Sequence, residues 1–399
     1  MDEKEKEILE EKEIEQKEEK TSEEEEVEQK EEKTSEEKKP KEKKKKDWRK
    51  ILGIILCILA LLILLGMAIY HGVMNYYLSK LNIVTKEEEE FVTERITVEE
   101  KPFETQEEEE YIEKDGFDRS KFPAITDSKE VTNILLLATD GRSLGGAGRS
   151  DVMMLVSVNR ESKKIVLCSF LRDIWALYPT KPENPINGGF DKLNHAHAYG
   201  GANLTMAVLK ESFHVNVSHY VKVDFSDFVK VVDAMGGVDL YLSSAEADYI
   251  NRTKFETINA SHNASYQCGD LPIQDGMHHL NGIQALCHSR NRTIGSDWAR
   301  TQRQRNVLTA MAKKAGSLSL DQINSLMNTT LPLVTTNMQK DLLKDLIASL
   351  PAFITYDIES TKIPQEGSYT SVNYNMVADR KANYFYLYKT IYGAEPKEK

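Results

Sequence analysis

The chain has 399 residues but only four cysteines. No C-x-x-C and no second spaced pair accompanies them, so no zinc ligand set is complete. Cys57 falls in a long apolar run. Cys168 falls in KIVLCSF, where a thiol packs as a small hydrophobe. Cys268 and Cys287 bracket a short segment, and both a bond between them and two separate thiols stay open. An excess of basic charge is also missing: the formal net charge is −12. With no helix-turn-helix pattern and no broad basic surface, nucleic acid is a poor partner. The first 47 residues are almost all Glu and Lys and nearly devoid of apolar side chains. Nothing there offsets the entropy of ordering, so no packed core forms. EQKEEKTSEE occurs at Glu15–Glu24 and again at Glu28–Glu37. This composition reads as a solvated tail, disordered or transiently helical through i,i+4 Glu–Lys pairs.

After the tail comes ILGIILCILALLILLGMAIY (Ile51–Tyr70), 20 residues without a charge. At about 1.5 Å per residue it is long enough to cross about 30 Å of hydrocarbon. KKPKEKKKKDWRK lies directly before it, which puts the N-terminus in the cytoplasm and everything after Tyr77 outside. The run is too long and too deep in the chain for a cleaved signal peptide, and no A-x-A site comes after it. The expected organisation is a cytoplasmic charged tail over 1–50, a transmembrane helix over 51–73, an extracellular acidic stalk over 74–120 and a folded extracellular domain over 121–395. The localisation this implies is the cell membrane, single-pass.

In the outer part, NILLLAT (Asn133–Thr139), VMMLVSV (Val152–Val158) and KIVLCSF (Lys164–Phe170) are short apolar runs bounded by turn residues and read as buried strands. HYVKVDF (His219–Phe225) and GVDLYL (Gly237–Leu242) also read as strands. Leu193–Phe213 reads as two helical stretches broken at Gly-Gly, and Asp227–Met235 as an amphipathic helix. Ser243–Pro272 is polar and irregular. MHHLNGIQALCHSRNR reads as a short helix running into a basic loop. Asp297–Gly316, DLLKDLIASL and NYFYLYKTIYG add helices. Strands alternating with helices imply an α/β fold: a three-layer α/β/α domain with a central mixed sheet, behind a single transmembrane helix.

The chemistry concentrates at loops. Gly141–Gly145 (GRSLG) fits the G-x-S-x-G nucleophile-elbow pattern, but that motif needs strand, turn, helix. Here GAGRSD and another strand-like run come next, which argues against a serine hydrolase at Ser143. The charges are more informative. Asp140, Arg149 and Asp151 lie between two strands, Arg172 and Asp173 come after a third, and Arg290, Arg292, Arg300, Arg303 and Arg305 crowd SRNRTIGSDWARTQRQR. Strand ends are where α/β sheets bind ligands. Two carboxylates with no Cys or His nearby suit Mg²⁺, which takes its remaining ligands from water and phosphate. Arginines beside it clamp phosphate oxygens. The helices LNHAHAYGGANLTMAVL and FVKVVDAMGGVDLYL read either as core or as the lining of an apolar slot for the lipid part of a phosphate ester.

The series TD-x-R, GRSDVMMLVSVN, S-x-x-RD, KLNHAHAYGGANLT, HYVKVDFSDFVKVVDAMGGVDL, LNGIQALCHSRNR and D-x-x-R-x-x-RQ resembles the LytR-CpsA-Psr (LCP) family of Gram-positive envelope proteins over most of Asn133–Ala315. The resemblance implies a phosphotransferase that attaches a glycopolymer, such as teichoic acid or capsule, from a polyprenyl-pyrophosphate carrier to peptidoglycan, releasing polyprenyl phosphate. It implies that Asp140 and Asp151 hold Mg²⁺ (or Mn²⁺), that Arg149, Arg172, Arg290, Arg292 and Arg300 neutralise the pyrophosphate, and that Gln304 hydrogen-bonds in the same pocket. Arg172, Asp173 and Asp151 are the expected catalytic group, with Asp173 orienting Arg172 or assisting deprotonation of the acceptor. Two positions depart from the family pattern: Ala138 where Gly is common and Leu171 where Pro is common. Neither removes a charge. A non-catalytic binder of polyprenyl phosphates and a polyprenyl pyrophosphatase are the alternatives.

Overall fold

The computed structural model of the chain describes residues 48–84, 116–139, 148–180, 188–253 and 271–399. The described residues fall into two units divided between Tyr70 and His71. The tail over 1–47, the acidic stretch 85–115 and Cys268 lie outside the described residues, as does Asp140. Trp48–Leu78 is one helix, α1. Among the residues whose side chains are described, no helix is long and apolar enough to cross a membrane. The apolar run Ile51–Tyr70 falls partly outside them.

The second unit is built on a seven-stranded mixed sheet. Its strands are β1 (Asn82–Ile83), β2 (Val131–Thr139), β3 (Ser150–Asn159), β4 (Lys164–Phe170), β5 (His219–Asp224), β6 (Thr335–Thr336) and β7 (Asp357–Ile363). Their spatial order is β1-β6-β5-β2-β3-β4-β7. β2 runs parallel to β5 and antiparallel to β3; β4 is antiparallel to β3 and parallel to β7. The carboxyl ends of β2, β4 and β5 and the start of β3 therefore share one edge.

Alternation along β2 sends its side chains to the two faces of the sheet. Leu135 and Leu137 join a cluster with Leu209 and Phe213 of α2 (His195–Phe213) and with Leu387 and Ile391 of the C-terminal helix Arg380–Tyr392. Ile134 packs with the helix Lys340–Phe353 through Leu343, and Ala138 packs against a third cluster. That cluster joins α3 (Phe225–Ala234), α4 (Ser244–Arg252), α5 (Gly282–Arg290) and α6 (Asp297–Ala315). Helices thus cover both faces of the sheet. Leu193, Ala196, Val208 and Leu209 are buried core, as are Val229, Val232, Val238 and Leu242. The apolar stripes expected either to line a slot or to pack are used for packing at these positions.

The expected break in α2 falls at Gly200–Gly201, where Gly201 takes φ 62° and ψ −153°. Only glycine enters that region without strain. Three expectations are corrected. The stretch from Met74 to Ile83 is no stalk: Met74 and Leu78 pack against Met338 and Leu343, and β1 pairs with β6. Apolar residues at 74, 78, 81 and 83 draw it onto the domain. Ser244–Arg252 is a helix rather than irregular chain, nucleated by a capping box in which Ser243 and Glu246 satisfy each other's backbone N–H. Finally, MHHL is the strand Gly276–Leu280, paired with Val238–Leu242, and the helix begins only at Gly282 behind the cap Asn281.

A candidate active site of three arginines around Asp151

Asp151 stands at a β-bulge. Ala138 pairs with Val152 and Thr139 with Ser150, so Asp151 has no cross-strand partner. A bulge re-aims the side chain it frees. Arg172 comes after β4 in a tight turn, held by the Leu171 N–H on the Ile363 carbonyl and by the Asn194 N–H on the Arg172 carbonyl. Arg292 lies in the loop between α5 and α6. The side chain of Asn291 accepts the backbone N–H groups of Thr293 and Ile294, and Arg303 donates to the carbonyls of Asn291 and Ile294. Arg300 is on the first turn of α6, with only 2% of its side chain exposed.

Three guanidiniums meet on one oxygen, Asp151 Oδ1: Arg292 at 3.1 Å, Arg172 at 3.5 Å and Arg300 at 3.5 Å. Asp297, the first residue of α6, lies 2.8 Å from Arg300 Nε and 3.8 Å from Arg172 Nε. The closer contact is an ion pair without hydrogen-bond alignment. Asp173 sits between Arg172 and Lys192, at 3.3 Å from each. Burial, and then repulsion from Arg300 and Arg172, pull the Arg292 guanidinium below its ordinary value. Crowded cations of this kind relax when a polyanion enters.

Of the residues the sequence singles out, Asp151, Arg172, Asp173, Arg292 and Arg300 are brought together. Arg149 is exposed at the entry to β3. Arg290 has its guanidinium 4.8 Å from the centre of the Phe225 ring. Gln304 is buried and donates to the Ser289 carbonyl at 3.4 Å. Asp297 and Lys192 are members that sequence reasoning missed. Asp297 carries a signal as the D of D-x-x-R, since i and i+3 share a helix face. Lys192 has no local signal, because its hairpin (Trp175–Leu177 with Phe190–Lys192) brings it to Asp173 across the fold.

Two histidines near the site are buried without charge. His197 lies against the Gly148 carbonyl, and burial pushes it down to about 4; His288 is pushed down to about 4 by burial, against the pull of Glu246. The unfolded chain takes up these protons near pH 6.5, the folded chain only near 4. Their contribution to stability is therefore complete above pH 6.5 and is lost as pH falls through 4. A depression of this size is worth roughly 3 kcal/mol at the acid end. The melting temperature should fall steeply between pH 6.5 and 4, and His197→Gln should flatten part of that slope if the variant folds.

Fold and site together define a mixed α/β domain with an arginine cluster at its strand ends. The chain belongs to the LytR_cpsA_psr family, whose sequence pattern matches residues 92–389. It is 34% identical over 233 residues to the polyisoprenyl-teichoic acid–peptidoglycan teichoic acid transferase TagT of Bacillus subtilis strain 168. That match covers 57% of this chain and 65% of the relative, so the chain spans just under two thirds of TagT's length. The structure is similar to that of TagT bound to LI-WTA (TM-score 0.50, 25% identity, 69% of this chain and 97% of that one). It shares its fold with a crystal structure of a Streptococcus agalactiae protein (TM-score 0.54, 24% identity, 66% and 86% covered).

Proposed function

We propose that the protein is a phosphotransferase that moves a glycopolymer from a polyprenyl-pyrophosphate carrier to peptidoglycan, releasing polyprenyl phosphate. The observation that carries this is the convergence of Arg172, Arg292 and Arg300 on one carboxylate. Family membership and the likeness to a named teichoic acid transferase support the same reading. Phosphoryl transfer needs little covalent help from a protein: positioning and charge stabilisation supply most of the acceleration. Arg172, Arg292 and Arg300 would exchange Asp151 for pyrophosphate oxygens and stabilise the charge that develops on the departing phosphate. Asp297 would keep Arg300 and Arg172 aimed, and Asp173 would hold Arg172 from the other side. Arg149, Arg290 and Gln304 would complete the binding surface.

The donor set suits Mg²⁺. All three arginines use Oδ1 of Asp151, and Asp297 Oδ2 is a buried oxygen without a partner. Among the described residues no cluster of three or more metal-ligating side chains exists. Mg²⁺ takes one or two carboxylates and its other ligands from phosphate and water. Asp151 and Asp140 would hold it, and when bound it would neutralise pyrophosphate charge. The apolar helix Ile51–Tyr70 would anchor the domain outside the membrane, within reach of a lipid-linked donor. The test is transfer by the full chain with and without a chelator. Transfer should vanish with chelator, return with Mg²⁺ or Mn²⁺, and stay low in Asp151→Asn at any metal concentration. Transfer indifferent to chelation would remove the metal from this mechanism.

A further inference from the structure

In the proposed transfer, the acceptor hydroxyl must lose a proton. Asp173 is badly placed to take it, since each of its two oxygens is already held by a cation, Oδ2 by Arg172 and Oδ1 by Lys192. A better-arranged group lies just beside it. Asp191, with a side chain 5% exposed, pairs through Oδ2 with His195 Nδ1 at 2.8 Å. Tyr199 donates its hydroxyl to the same oxygen at 2.8 Å, and the Lys192 N–H binds Oδ1 at 2.7 Å. Burial opposes ionisation of Asp191, but the contacts from His195 and Tyr199 outweigh it and hold the carboxyl below its ordinary range. A fixed carboxylate on Nδ1 keeps the proton there and leaves the basic lone pair on Nε2. Nε2 has no hydrogen-bond partner among the described residues, and the His195 side chain is 17% exposed.

Three ties between residues 191–195 and the Arg172 turn set the position. The Leu193 N–H donates to the Ile174 carbonyl at 2.8 Å, the Asn194 N–H to the Arg172 carbonyl at 3.2 Å, and Lys192 Nζ lies 3.3 Å from Asp173. His195 is thus the next residue along from a direct hydrogen bond to Arg172. We infer that His195, oriented by Asp191 and Tyr199, is the general base for the acceptor hydroxyl. The step rests on the transferase reading. The acceptor oxygen forms its bond to the phosphorus nearer the sugar, and its proton passes to His195 Nε2. The bond from that phosphorus to the bridging oxygen breaks, and its electron pair leaves with polyprenyl phosphate. Among the described residues, the titratable groups in contact with the imidazole are Asp191 and Tyr199, the latter edge-on at 5.8 Å between ring centres.

The test is the pH dependence of transfer by the full chain in detergent, using a polyprenyl-pyrophosphoryl sugar as donor and peptidoglycan fragments as acceptor. Wild type should lose kcat/KM on the acid side as the imidazole protonates. His195→Gln should lower kcat at least about 10²-fold and abolish that acid limb, with the donor's KM little changed. Asp191→Asn should lower kcat while keeping the limb, because the imidazole loses the carboxylate that orients it. A merely structural role would instead change melting temperature and KM while the limb persisted. A folded His195→Gln with wild-type kcat, or with the limb intact, overturns the assignment and leaves the transferase reading standing. If His195→Gln fails to fold, a folded Asp191→Asn with wild-type kcat overturns it equally. A wild type that transfers nothing overturns both.

Discussion

Replacing Arg172 by alanine is expected to lower glycopolymer transfer about 10³-fold at unchanged stability, the size found when a pre-aligned cation or oxyanion donor is removed. Arg172 contacts Asp151, Asp173 and Asp297, and its side chain is 24% exposed. Ion pairs this wet are worth no more than about 1 kcal/mol. The loss therefore falls on the transition state rather than on the fold. Arg172→Lys keeps the charge but not the planar fork that grips two phosphate oxygens. It should recover a fraction of the activity, within about 10²-fold of wild type. Initial rates beside melting curves for the three proteins separate these effects. A large fall in melting temperature for Arg172→Ala would mean that the cluster is structural.

Arg303→Ala is expected to do the opposite: to cost about 3 kcal/mol of stability. Arg303 is one turn along α6 from Arg300, and the D-x-x-R-x-x-RQ motif presents both alike. The structure separates them. Arg303, 7% exposed, has Nε 2.7 Å from Glu246, Nη1 3.1 Å from the Asn291 carbonyl and Nη2 2.6 Å from the Ile294 carbonyl. Its removal strands Glu246, whose carboxyl is held low by Arg303 and Ser243 against burial. It also releases the loop that carries Arg292. The expected result is an unfolding midpoint shifted to lower denaturant at unchanged slope. Adding Glu246→Gln should restore part of the loss by removing the stranded charge. A change below about 0.5 kcal/mol in the single variant would mark Arg303 as an ordinary surface residue.

Much of this architecture is readable because apolar period and burial agree. KIVLCSF is β4 at the expected boundaries, and NILLLAT and VMMLVSV fall inside β2 and β3. α3 begins two residues earlier than the apolar spacing indicates, because Asp224 caps it by accepting the Asp227 N–H. Caps also explain Ser244–Arg252, whose polar composition hides a helix from any hydrophobic pattern. The paired strands Gly276–Leu280 and Tyr369–Val372 with Asn375–Ala378 depend on partners rather than on their own sequence.

The site divides in the same way. Charges at strand ends and helix starts are visible, and five of them meet. Composition does not distinguish an arginine facing a ligand from one clamping a loop, as Arg300 and Arg303 illustrate. Nor does it find Lys192, which reaches Asp173, or His195, whose neighbours Leu193 and Asn194 bond the Arg172 turn from a distant segment. In TDGRSLGGAGRSDVMMLV, the described part from Gly148 onward enters β3 at Ser150 and delivers Asp151 through a bulge.

The most direct measurement is the fate of a labelled polyprenyl-pyrophosphoryl glycan incubated with the full chain, Mg²⁺ and peptidoglycan. The transferase mechanism predicts label joined covalently to peptidoglycan through one phosphate, polyprenyl phosphate released in equal amount, and loss of both in Arg172→Ala and Asp151→Ala. Polyprenyl phosphate released without labelled peptidoglycan, or donor bound with no turnover, would contradict it.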